Sequence, residues 1–339
     1  MEYENYSGKK GYMVFRERRG RARRVNTIRW VAAVAAVWVI VLGSMLWLTL
    51  GESGEKEVPP VASKVIPAGE KKARLILADG TEVEVSKTGA HVLKEEGVNI
   101  KYENGEISYE TERVSTEIVY NELEVPRGGE CIITLDDGTK VWVNAATEIY
   151  YPVKFVGKER RVWLEGEAYF EVAKERERPF WVDFREGTVR VLGTQFNVKA
   201  YGGEEAVATL VHGKVEVARG QEAVVLQPGE QCRIAAGEAH ALIVGKADLV
   251  STLAWKNGEF VFKDASLDQV IDELARWYNV EMVYDHSLFR ESRVHIYMNR
   301  SQTLDEALDM LSKAWNIRYE RQGTKVWLGE WHTGGTDSD

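Results

Sequence analysis

ECIITLDDGTKVWVN, residues 130–144, decides the fold class. Cys131, Ile133 and Leu135 recur at every second position before Asp137-Gly138, and Val141 and Val143 do so after it. Side chains two apart share one face of a strand, and Asp-Gly supplies the positive φ of a tight hairpin turn. The stretch reads as two antiparallel strands. The same pattern recurs outward from it. Short alternating runs cover 73–86, 99–110, 160–172, 188–201 and 205–219, with hairpin signals at Asp79-Gly80 and Asn104-Gly105. No strong amphipathic helix interrupts 65–245, so turns at short, even intervals predict an all-β domain over 65–248.

The text also repeats weakly. Pro67-Ala68-Gly69 leads to Asp79-Gly80-Thr81, Pro126-Arg127-Gly128-Gly129 leads to Asp137-Gly138-Thr139, and Pro228-Gly229-Glu230 begins a fainter third copy. Repeated hairpin units suit a solenoid-like β stack or a sandwich. Asp136-Asp137-Gly138 lacks the spacing and the distal glutamate of an EF-hand loop, which leaves the structural hairpin. Cys131 and Cys232 are the chain's two cysteines. Each follows a Pro-Gly turn at a similar offset, and they are either a disulfide or two buried thiols.

Upstream the character changes. Trp30–Leu50 is 21 residues without Asp, Glu, Lys or Arg. A helix of that length spans roughly 30 Å, the thickness of a bilayer's hydrocarbon core, and predicts a single-pass membrane protein. Residues 1–29 hold nine basic and three acidic residues, net +6; the whole chain is −9, so the 289 residues after the span carry −15. Basic flanks stay inside, which places the N-terminus in the cytoplasm and the rest across the membrane. The basic run lacks interleaved aromatics and a binding fold, so contact with anionic headgroups, not nucleic acid, is expected. Residues 51–64, with Pro59-Pro60, read as a linker, and 331–339 as a disordered tail. Gly43-Ser44 is the weak point of the span and a candidate site for a membrane protease or for helix association.

Six blocks in order carry a resemblance: LEVPRGGE at 123–130, LDDGTKVWVNAATEIYYP at 135–152, RRVWLEGEAYFEV at 160–172, RPFWVDF at 178–184, VLGTQFNVKAY at 191–201 and LQPGEQ at 226–231. Together they closely resemble the FecR family of transmembrane sigma-factor regulators. Residues 254–285 resemble the domain that follows it in many members. The resemblance implies a bacterial inner-membrane protein with a periplasmic part. That part senses a TonB-dependent outer-membrane transducer, and the cytoplasmic end binds an extracytoplasmic-function (ECF) sigma factor. Members usually carry several dozen helical residues at that end, whereas 1–29 is short and lacks an apolar stripe. In the blocks, Gly128, Gly129, Gly166 and Gly193 supply turns or bulges. Trp142, Trp163, Tyr169, Phe170 and Phe196 are expected to pack a core.

Residues 254–330 form a second domain. Ser266 with Gln269 and Thr303 with Glu306 read as capping boxes. They open helices whose stripes are Leu267, Val270, Ile271, Leu274, Trp277 and Tyr278, and Leu304, Ala307, Leu308, Leu311 and Trp315. With strands at 260–262, 280–284, 294–298, 317–319 and 326–328 the order is β-α-β-β-α-β-β, a small α+β sandwich. It resembles the signalling modules at the N-termini of secretins and TonB-dependent transducers. Its place at the far end of the chain, from where it could reach the outer membrane, suggests the receiving end.

His91, His212, His240, His286, His295 and His332 form no ligand pair and flank no nucleophile, and the chain has no P-loop, G-x-S-x-G or H-E-x-x-H. No catalytic, cofactor-binding or metal-binding residue is expected. The alternative to a transducer is a membrane-anchored module that binds glycan or envelope polymer.

Overall fold

The hairpin at 130–144 forms as its sequence dictates. Leu135 N–H donates to Thr139 O and Gly138 N–H to Leu135 O. Thr139 N–H and Oγ1 donate to the Asp137 carboxylate at 2.9 and 2.7 Å. The Asp79-Gly80 turn repeats this geometry, with Leu77 N–H on Thr81 O and Thr81 N–H on Asp79 Oδ1. Asn104 and Gly105 have φ of 55° and 74°, as a two-residue turn with both centres left-handed requires.

The structure is a computed structural model and describes residues 65–86, 90–95, 98–111, 118–234, 241–287 and 293–330. The expected span at 30–50, the basic segment 1–29, the linker 51–64 and the tail 331–339 lie outside these residues. Among the described residues no helix is long and apolar enough to cross a membrane.

The fold is mostly β. Its first domain stacks two sheets. One runs β2 (Glu82–Ser86), β1 (Glu70–Ile76), β6 (Tyr120–Val125), β9 (Thr147–Pro152), the first half of β10 (Arg160–Glu171), β11 (Phe180–Phe184), β12 (Gly187–Val191), β15 (Val215–Arg219), β16 (Glu222–Leu226). The other runs β3 (Ala90–Glu95), β4 (Val98–Glu103), β5 (Glu106–Thr111), β7 (Gly129–Thr134), β8 (Lys140–Val143), the second half of β10, β13 (Gln195–Ala200), β14 (Ala206–His212), β17 (Glu230–Ile234), β18 (Leu242–Lys246). Of the two expected forms this is the sandwich, with one apolar core between the sheets. β10 belongs to both sheets: Arg160–Glu165 pairs with β9 and β11, Gly166–Glu171 with β8 and β13. The strand turns its corner at Gly166, φ +121°.

Strand parity sorts the aromatics. Phe170 and Phe196 face each other across β10 and β13 and stack in the core at 5.0 Å. Trp163 and Tyr169 are buried but lie one residue out of phase with the core. Trp142, expected inside, is only half-buried: opposite Tyr169 on the outer face, its ring lies 5.1 Å from Lys140 Nζ and 4.8 Å from Lys256 Nζ.

Cys131 on β7 and Cys232 on β17 are separated by five strand spacings, about 24 Å, far beyond disulfide reach. Both are buried free thiols, and burial pushes them up to about 12 and about 11.

A short helix, α1 (Leu249–Ala254), leads through a 3₁₀ turn (Trp255–Asn257) to the second domain. There the order is β19 (Glu259–Ser266), α2 (Leu267–Tyr278), β20 (Glu281–Val283), β21 (Arg293–Asn299), α3 (Leu304–Trp315), β22 (Ile317–Gln322), β23 (Lys325–Glu330). Both capping boxes are present, each worth about 1 kcal/mol to its helix. The strands form two sheets, β19–β21 and β20-β23-β22. α2 touches β19 and β20, and α3 touches β21 and β22, so the helices fill the space between the sheets.

Candidate functional site at the interdomain junction

The two domains belong to one compact unit. The second domain covers the outer face of the β7-to-β18 sheet, so β10 and β13 are buried on both faces where the alternation alone predicts one. Ala145, just after β8, is part of the second domain's core.

Three of the sequence blocks meet under this cover. Asn144 follows β8, Glu167 lies on β10 and Asn197 on β13, all buried. Glu167 is 8% exposed. Its Oε2 accepts from Asn144 Nδ2 at 2.9 Å and its Oε1 from Asn197 Nδ2 at 3.0 Å. The amide oxygens face the second domain. Asn197 Oδ1 accepts from Trp255 Nε1 at 3.3 Å, and Asn144 Oδ1 accepts from Arg300 Nη2 at 3.0 Å.

Arg300 stands at the centre, 3% exposed, in the loop between β21 and α3. Its Nη1 donates to Trp255 O at 3.1 Å. Its guanidinium lies 3.7 Å from the centre of the Trp277 ring, whose Nε1 donates back to Arg300 O at 2.8 Å. Burial lowers the guanidinium below the usual arginine range, while Glu273, Glu130 and Glu167 oppose the shift. It remains a cation.

A second set of contacts runs along α2. Arg276 donates to Glu204 and stacks on Tyr201 at 4.1 Å, and Tyr201 OH donates to Ala145 O at 2.9 Å. Burial alone would lower Lys199; Glu167, Glu204 and Glu273 outweigh it and raise its ammonium. Burial raises the Glu273 carboxyl. Gly128 N–H donates to Arg276 O and Arg127 Nη2 to Val280 O, both at 2.8 Å. The PRGG turn thus takes up a carbonyl in the last turn of α2, where carbonyls lack a helical partner. A cleft of about 250 Å³ beside the network is lined by Glu167, Lys199, Thr209, Lys263, Gln269 and Glu273, among others.

Chemically the junction holds charge and does not present it. Most of its donors and acceptors satisfy one another; the buried Arg300 Nε has no hydrogen-bond partner among the described residues, and no nucleophile–base pair occurs in the network. Asp136 and Asp137 are used internally: Asp136 accepts from Phe155 N–H, and Asp137 pairs with buried Arg160 at 2.7 Å. His286 meets Asp268 at 3.0 Å in solvent, His91 stacks on Tyr102, and His240 and His332 lie outside the described residues. The sequence reading missed Arg276, Arg300, Glu204 and Trp255. It also missed the cluster of Glu122, Glu124 and Glu148, whose carboxylates lie within 4.8 Å of one another. Cross-strand register creates that cluster, with Glu124 opposite Glu148.

The chain matches the family described as "FecR protein" over residues 121–216 and that described as "FecR, C-terminal" over 259–328. Among curated proteins there is no match. Two crystal structures of a "putative anti-sigma factor" from Parabacteroides distasonis ATCC 8503, at 1.65 and 2.50 Å, are similar at 31% identity and a TM-score of 0.58. The similarity covers 62% of this chain and 98% and 99% of theirs. The two matched regions are the two domains that the junction joins, and the chain belongs to the FecR family.

Proposed function

We propose that this protein regulates a sigma factor from the bacterial inner membrane. It relays the state of a TonB-dependent outer-membrane transducer to an ECF sigma factor. Family membership and the likeness to a chain described as a putative anti-sigma factor support the regulator role. The observation that carries the relay is the combination in one chain of two domains joined by a buried polar network and, earlier in sequence, an apolar stretch at 30–50 behind a +6 flank. In this reading residues 1–29 contact the sigma factor in the cytoplasm, the domains are periplasmic, and the second domain receives the transducer's signalling domain. The work is binding and relay, without catalysis. Release by a membrane protease near Gly43-Ser44 belongs to the same reading.

The test is recovery of the tagged full-length chain from crosslinked host membranes. An ECF sigma factor should be recovered with it and be lost when residues 1–29 are deleted. Deletion of the whole gene should change that sigma factor's transcripts. No recovered sigma factor and an unchanged transcriptome would reject the reading.

A further inference from the structure

The second domain, last in sequence, is not remote from the linker: it holds the first described residues. Val65–Gly69 joins no sheet. Ile66 and Ala68 pack against the second domain's core and not against that of the sandwich. Ile66 O accepts from Leu304 N–H at 3.0 Å, taking up one of the first-turn donors that α3 cannot satisfy internally. Gly69 passes over the Trp277 indole so closely that a Cβ there would lie 2.7 Å from the ring. Only at Glu70, whose N–H donates to Gly128 O at 3.0 Å, does the chain enter the sandwich.

Trp277 therefore has two contacts of consequence. It lies against Gly69 of this segment, and it stacks on Arg300 and donates to Arg300 O at the junction. A short extended segment outside any ladder, with exposed Val65 and with Pro67 contributing no donor, belongs to the low end of local stability.

We propose that Val65–Gly69 is a releasable clip. The second domain grips the point where the chain leaves the linker, and Trp277 ties that grip to the Arg300 junction. A partner that shifts the second domain against the sandwich then frees the outer end of the linker. The partner rests on the relay reading above; the clip and its tie to the junction do not.

Hydrogen exchange on the full chain in detergent micelles tests both parts. In the native protein the Leu304 amide should be protected. Ile66→Asp should speed its exchange at least 100-fold and leave Leu308 and Leu311, further along α3, within threefold. Arg300→Ala does not touch the clip, yet should speed Leu304 exchange at least 10-fold more than it speeds exchange at Leu308 and Leu311. Subtilisin should cut between residues 51 and 70 at least 10-fold faster in both variants. If Arg300→Ala does not accumulate, Arg300→Lys, which keeps the charge and loses the fork, should speed Leu304 exchange at least threefold. An unchanged Leu304 rate in Ile66→Asp overturns the clip, and an unchanged rate in the Arg300 variant overturns its tie to the junction. No sigma factor enters the experiment, so its failure is separable from failure of the relay.

Discussion

Arg300→Ala should uncouple the two domains. Two donations from a charged guanidinium, at 3.1 and 3.0 Å, contribute about 1.5–3 kcal/mol each before desolvation is counted. Stacking at 3.7 Å on buried Trp277 adds about 2 kcal/mol. Burying the cation opposes these gains, as its lowered pKa records. Asn144 Oδ1 keeps a second donor in Ala145 N–H, so truncation does not orphan it. The net loss comes to about 3–4 kcal/mol. At an m-value of about 1.5 kcal/mol/M the second domain's urea midpoint falls by about 2 M. Tryptophan fluorescence reads this directly, because Trp255 and Trp277 sit at the junction. Unfolding of the full chain in micelles should change from one transition to two, with the second domain melting first. A double-mutant cycle with Asn144→Ala should return a coupling of about 1–2 kcal/mol. A loss under about 0.5 kcal/mol, with a single unsplit transition, would refute the view that Arg300 joins the domains.

Gly166→Ala places a side chain at φ +121° with its Cβ 2.7 Å from the Thr147 Cα, and should cost about 3–5 kcal/mol in thermal unfolding. A loss below about 1 kcal/mol would mean that the corner of β10 has slack. Burial raises the Asp136 carboxyl from 3.8 to about 6, so its protonated form favours the fold. That contribution is complete below about pH 3.8 and lost as the pH rises through about 6. Asp136→Asn should match the native melting temperature at pH 3.5 and gain about 1 kcal/mol at pH 7, a figure reduced for the group's partial exposure. Equal melting temperatures at both pH values would contradict the raised pKa.

Local chemistry was legible in the sequence. Asp79-Gly80, Asn104-Gly105 and Asp137-Gly138 marked their turns, and Ser266 and Thr303 marked their helices, because each signal lies within four residues. Period-2 alternation showed the sandwich's inner face. It could not show that a second domain covers the outer one; Trp142, out of phase with Val141 and Val143, flanks the core that its aromatic character suggests it fills. Asn144, Glu167 and Asn197 stood inside the recognised blocks, but nothing along the chain tells that they converge. Arg276 lies off the apolar stripe of α2, and Arg300 lies in a loop without period. Both are placed by contacts more than 70 residues apart in the chain. The hold on Val65–Gly69 is the same kind of feature: these residues and α3 are more than 230 positions apart in the chain, and only the fold packs one on the other.

The strand shared by both sheets has a mechanical consequence. Parting the sheets along β10 requires shearing it from β8, β9, β11 and β13 together, so the hydrogen bonds bear the load in parallel. The outer edges β2, β3, β16 and β18, each laddered on one side only among the described residues, can instead peel one bond at a time. Under traction the middle of the sandwich should act as a stiff spacer, delivering a displacement from one side to the other with little of it absorbed, while any yielding starts at these margins.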